Sequence, residues 1–181
     1  QSYRWSTTAL HLRDLYSQLA VRQPVIADVS ALLTANEFDR LEALIDATLR
    51  LANDEIDAVA AVERGEIDQP FWYVRIAGDA KQHFSAEYTL GQRTLVVESY
   101  FMPEPDENRE ALFAHLLTRN ASMHPIHFVV GSENAIYLRG QVDNRHVDAD
   151  MVDRMLAAVY DYTEQFFVPA MRMGFESRFN R

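Results

Sequence analysis

Between residues 71 and 101 apolar and polar side chains alternate through three successive segments, FWYVRIAG, HFSAEYTL and TLVVESYF, separated only by short links containing Gly78-Asp79 and Gly91. Alternation of this kind puts residues i, i+2 and i+4 on one face of a half-buried strand. Trp72, Val74 and Ile76 then share one face, and Phe71, Tyr73 and Arg75 the other. The second segment sets Phe84, Ala86, Tyr88 and Leu90 against His83, Ser85, Glu87 and Thr89; the third sets Leu95, Val97, Ser99 and Phe101 against Thr94, Val96, Glu98 and Tyr100. Parallel neighbours need a crossover of about a dozen residues, so links this short predict an antiparallel meander.

Helical periodicity flanks the meander. Thr34 followed by Glu37 reads as a capping box, in which each side chain satisfies a backbone N–H of the other residue. Phe38, Leu41, Leu44, Ile45, Thr48, Leu49 and Ala52 continue it as one apolar stripe. Upstream, Leu10, Leu12, Leu15 and Leu19, stopped by Pro24, predict a separate helix over residues 7–22. Residues 54–64 (DEIDAVAAVER) favour a helical continuation, although Ile56, Ala58, Ala60 and Val62 also alternate and leave a strand open.

Beyond the meander, Pro105 with Asp106 and Glu107 suits the first turn of a helix, where a missing N–H costs nothing and acid complements the dipole. Leu112, Phe113, Leu116 and Leu117 form its stripe, and Asn120 is expected to end it in the left-handed conformation. IHFVV and AIYLRG, linked by Gly131-Ser132-Glu133-Asn134, read as a hairpin. Asp148 caps a last helix carrying Val152, Met155, Leu156, Val159, Thr163, Phe166 and Phe167, which Pro169 is expected to end. The order predicts an α+β fold: a five-stranded antiparallel sheet, built as a three-strand meander, a helix and a hairpin, flanked by helices. An N-terminal helical extension over residues 1–33 precedes the main domain at 34–181.

Composition removes whole classes of function. The chain has no cysteine, so disulfides, thiolate metal sites and cysteine nucleophiles drop out. A net charge of −10 opposes binding to phosphate backbones and to anionic lipid surfaces. No apolar run approaches the roughly 20 residues that cross a bilayer. Gln1 to Trp5 open no secretory h-region, which makes a cytoplasmic location the expectation. The cations are 16 Arg and one Lys, Lys81, a skew attributed to a GC-rich genome.

Catalytic constellations are weak. His124 and His127 stand three apart at the start of a strand and so face opposite sides, and with His115 they make no metal site. Asp106, Glu107, Asp148, Asp150 and Asp153 sit at helix starts, where acid serves capping. No phosphate-cradling glycine pattern occurs, and no cofactor is expected. The remaining feature is the strand face of Phe71, Tyr73 and Arg75, joined by Tyr137 and Arg139, an aromatic surface suited to holding a protein partner unless another element or a second copy covers it. A competing reading is a small-ligand sensor or a cryptic enzyme with a pocket between sheet and helices, where His83, Glu87, Arg93 and Glu98 converge.

The segments FMPEPDEN, HLLTRN, GSENAIYLRGQV and VDADMVDRMLAAVYDYTEQFFVPAMRMGF, in this order and spacing, resemble the YbjN-domain family of bacterial sensory transduction regulators over residues 71–177. The resemblance implies a fold similar to class I type III secretion chaperones, a homodimer, and a chaperone-like or regulatory role. It implies no enzymatic activity, no agreed ligand and no catalytic residues to carry over.

Overall fold

A computed structural model describes residues 32–65 and 70–179. The helix expected over residues 7–22 lies outside the described residues. Helix α1 (Ala35–Glu55) begins at the predicted capping box: the Glu37 N–H donates to Thr34 Oγ1 at 3.3 Å and the Thr34 N–H to Glu37 Oε2 at 2.8 Å. Its buried stripe is Leu41, Ile45, Leu49 and Ala52.

The sheet has six strands rather than five: β1 (Val59–Arg64), β2 (Phe71–Ala77), β3 (His83–Leu90), β4 (Thr94–Met102), β5 (His127–Val130) and β6 (Ile136–Asp143). All neighbours are antiparallel, in the order β1-β2-β3-β4-β6-β5. The added strand, β1, falls in the segment where helix was favoured. A bulge between Val59 and Ala61 explains the ambiguity, because Val59 pairs with Ile76 and Val62 with Val74, so both lie on the covered side although three residues apart. One extra residue converts a strand's period of two into an apparent helical spacing. Of the residues that seemed to alternate, Ile56 and Ala60 are exposed, and Val62 packs against the core.

Helix α2 (Arg109–Asn120) starts later than Pro105. Pro105 is buried instead, against Gly174, and the two acids tether the chain's other end: the Glu107 N–H donates to Gly174 O at 3.1 Å, Glu107 Oε1 accepts from the Ser177 N–H at 2.9 Å, and Asp106 pairs with Arg178. Asn120 ends α2, but by its side chain rather than by a left-handed backbone. Its carboxamide accepts from the Phe128 N–H at 2.8 Å and donates to Phe128 O at 3.0 Å, taking both backbone groups of a β5 residue.

Helix α3 (Ala149–Gly174) is capped by Asp148, which accepts from the Met151 N–H at 2.8 Å. It runs through Pro169 instead of stopping there. The exposed flank at Pro169 lets water reach the carbonyl that loses its partner, while Ala170 and Gly174 are buried and hold the last turns in place. A Cβ on Gly174 would stand 3.0 Å from Pro105 Cβ and 3.2 Å from Leu112 Cδ2, so glycine lets the helix and Pro105 pack closely here. A short helix α4 (Glu176–Phe179) follows.

The core lies between the helices and one face of the sheet. Trp72, Val74, Ala86, Tyr88, Leu95, Val97 and Leu138 are all fully buried there. Two hydrogen bonds tie the layers together: Trp72 Nε1 donates to Asp46 Oδ1 of α1 at 3.2 Å, and the Tyr88 hydroxyl donates to Val152 O of α3 at 3.1 Å.

Candidate binding face on the open side of the sheet

Cross-strand register turns the sequence alternation into rows across the other face. One row runs through all six strands: Glu63, Tyr73, Glu87, Glu98, Arg139 and His127. A second begins Ala61, Arg75, Ser85, and resumes beyond a gap as Tyr100, Tyr137, Val129. A third holds Phe71, Thr89, Val96 and Gln141.

Phe71, Tyr73, Arg75, Tyr137 and Arg139 therefore share one face, but they do not form one cluster. Three strand steps separate β2 from β6, roughly 14 Å at the usual strand spacing. Between Tyr73 and Arg139 stand Glu87 and Glu98, directly opposite one another. Arg139 Nη1 pairs with Glu98 Oε2 at 2.8 Å, whereas Glu87 has its carboxyl pushed up from the usual range, by burial first and by Glu98 second. Arg75 pairs with Glu63.

Tyr100, which alternation placed on this face, is a site residue that sequence reasoning passed over. Its ring meets Tyr137 edge-on, with centroids 5.5 Å apart and planes at 83°. Burial first, then Tyr137 and Glu133, push its hydroxyl pKa up. A concavity of about 840 Å³ opens beside it, lined by Tyr73, Arg75, Lys81, His83, Glu87 and Tyr100 among others.

The pocket expected between sheet and helices takes a different form. His83 and Glu87 line the open-face concavity, Glu98 is held by Arg139, and Arg93 sits in the turn after β3, at the opposite end from His83. Among the described residues no group of three or more His, Cys, Asp or Glu is placed to hold a metal ion. Among them, too, no helix is long and apolar enough to cross a membrane. A smaller apolar groove of about 130 Å³ lies between α2 and the β5–β6 hairpin, with Leu117 and Val130 exposed on it.

A six-stranded antiparallel sheet with its described helices on one side is a fold shared with secretion chaperones. A chain of the HopA1–SchA chaperone–effector complex matches with a TM-score of 0.50 at 10% identity, over 74% of this chain and 97% of that one. A chain of the complex between the Yersinia pestis type III secretion chaperone SycH and a fragment of YscM2 matches with a TM-score of 0.44 at 11% identity, over 66% and 96%. The chain belongs to the YbjN family, described as "Putative bacterial sensory transduction regulator", whose sequence profile matches residues 27–169. That match reaches upstream of residue 71 and takes in α1 and β1. The uncharacterized protein Mb0497 of Mycobacterium bovis is 32% identical over 112 residues, 62% of this chain and 61% of the relative's length. The chain thus spans about three fifths of that relative.

Proposed function

We propose that this chain is a non-enzymatic, chaperone-like protein-interaction module that holds a segment of a partner protein on the open face of its sheet. The observation that carries the reading is the asymmetry of that sheet. One face is sealed by α1 and α3, while the other presents Tyr73, Tyr100 and Tyr137 with no described helix over them. Rigid aromatic side chains supply contact area at low entropic cost, and sheet faces on fixed strands hold them in register. The fold likeness to a chaperone–effector complex supports the same reading. Residues 1–33 are an extension to the binding domain, and the working form is a cytoplasmic homodimer.

The direct test is capture of partners from a bacterial lysate by the wild-type chain and by a Phe71→Ala, Tyr73→Ala double variant. Loss of captured species from the variant supports the open face; an unchanged set rejects it. Light scattering that gives a monomer mass at tens of micromolar removes the homodimer. A second reading, small-ligand sensing, draws on the concavity at Tyr100. A ligand specific for the folded state raises the melting temperature, so a metabolite panel that leaves it unmoved disposes of that reading.

A further inference from the structure

Lys81 is the single lysine of the sequence, and it occupies an unusual position. Beyond Glu87 and Glu98 the ladder between β3 and β4 ends, although β4 stays paired to β6 as far as Met102. The β2–β3 turn folds over this opening. Glu164 of α3 pins the turn by accepting from the Ala80 N–H at 2.9 Å, and Gly78, lacking a Cβ, leaves room for that carboxylate.

The pinned turn aims Lys81 at the end of β4. Its Nζ donates to Tyr100 O at 2.5 Å and Phe101 O at 3.0 Å, the carbonyls of the segment that has left β3. Three rings surround the ammonium, with centroids at 5.0 Å for Tyr100, 5.4 Å for Phe167 and 6.0 Å for Phe84. An ammonium has three donors, and two are used. None of the ion pairs among the described residues involves Lys81. A partly buried cation with, among the described residues, a donor to spare and no counter-ion borders the concavity on the open face.

We infer that this concavity receives an acidic side chain of the bound partner segment, with the Lys81 ammonium as its counter-charge. The inference rests on the reading of the open face as the partner-binding surface, and it adds the chemistry of the anchor. The other charges on the lining do not compete for the role: Arg75 is matched by Glu63, and His83 is exposed. Glu87 lines the same concavity, and an incoming carboxylate is therefore favoured beside Lys81 and Tyr100 rather than beside Glu87. Partial burial strengthens the pairing over that of a surface lysine, because the surrounding medium screens it less. The aromatic rims at Tyr73 and Tyr100 favour apolar neighbours beside the acid.

A single lysine gives a single isotopically labelled signal, which makes the test local. Protein carrying labelled lysine is titrated at millimolar concentration with the blocked peptides acetyl-Phe-Glu-Phe-amide and acetyl-Phe-Gln-Phe-amide. The expected result is a saturable shift of the Lys81 signal with the glutamate peptide and binding weaker by roughly tenfold, or about 1.4 kcal/mol, with the glutamine peptide. Equal affinity for the two peptides, or no saturable shift with the glutamate peptide, overturns the inference. The wild-type comparison needs no variant to fold. Lys81→Arg is expected to keep the preference and Lys81→Met to abolish it, with binding then followed by peptide fluorescence anisotropy. The two readings fail separately: if capture depends on Phe71 and Tyr73 but the peptides show no charge preference, the open face stands and the acidic anchor falls.

Discussion

The two faces of this sheet are woven from the same strands, residue by alternate residue, and they obey different rules. On the covered face each position is set by volume: Trp72, Val74, Ala86, Tyr88 and Val97 are fully buried beneath helices, and two of the polar atoms there reach helix partners, Trp72 Nε1 at Asp46 and the Tyr88 hydroxyl at Val152. On the open face tyrosines, glutamates and arginines stand in rows, with ion pairs of the kind that contribute little to stability. Packing constrains the first face, so its chemistry is uniform. The second is free to carry recognition.

The contrast breaks most readily at residues 72 and 73, adjacent in sequence and on opposite sides. Trp72→Ala should cost about 3–5 kcal/mol, because it deletes a fully buried ring and takes the indole donor from Asp46 Oδ1, and Tyr73→Ala only about 1 kcal/mol or less. Denaturant midpoints at unchanged slope measure both, and similar losses would show that the open face is packed after all. A smaller effect is expected from adding volume at Gly140, on the covered face. A Cβ there would meet Ile126 Cδ1 at 2.5 Å and Pro125 O at 2.8 Å, so Gly140→Ala should lose about 1–3 kcal/mol by overpacking. A variant as stable as wild type would mean that the loop carrying Pro125 yields.

The smallest effect belongs to Lys81, which spans the boundary, touching Phe84 and Phe167 of the covered layer and Tyr100 of the open one. Burial pulls its ammonium down from 10.5 to about 8. Between those values the unfolded chain holds the proton more tightly than the folded one, so this group adds stability as pH rises from about 8 towards 10.5 and loses it again as pH falls back over the same window. The stability of wild type relative to Lys81→Met should therefore improve across that window. A flat difference, or a lysine signal that titrates at the ordinary value, would place Lys81 in water.

How far the fold could be read in advance follows from the same contrast. Strict alternation identified β2, β3 and β4 and assigned their faces as far as Phe101, beyond which an irregularity buries Met102 as well, and the capping box at Thr34 marked the start of α1. Failures occurred where tertiary structure overrode local pattern: at β1, whose bulge breaks the period, and at Pro169, where burial of Ala170 and Gly174 carries the helix onward. The candidate site was legible as a face and not as a cluster. The positions of Phe71, Tyr73, Arg75, Tyr137 and Arg139 along their strands are local facts, but which residues lie between them depends on strand order and register. Lys81 sits in a turn, where no periodicity speaks, and the end of the β3–β4 ladder leaves no trace in composition.

Asn120 has one further consequence, for assembly. By holding both the N–H and the C=O of Phe128, its carboxamide takes two outward-facing backbone groups of β5, the last strand on that side among the described residues. A filament grown by strand addition needs two receptive borders on every subunit, one to join and one to be joined. With the β5 border taken at Phe128 by an asparagine, a strand laid against that edge cannot complete its ladder, which opposes growth by strand addition from that side.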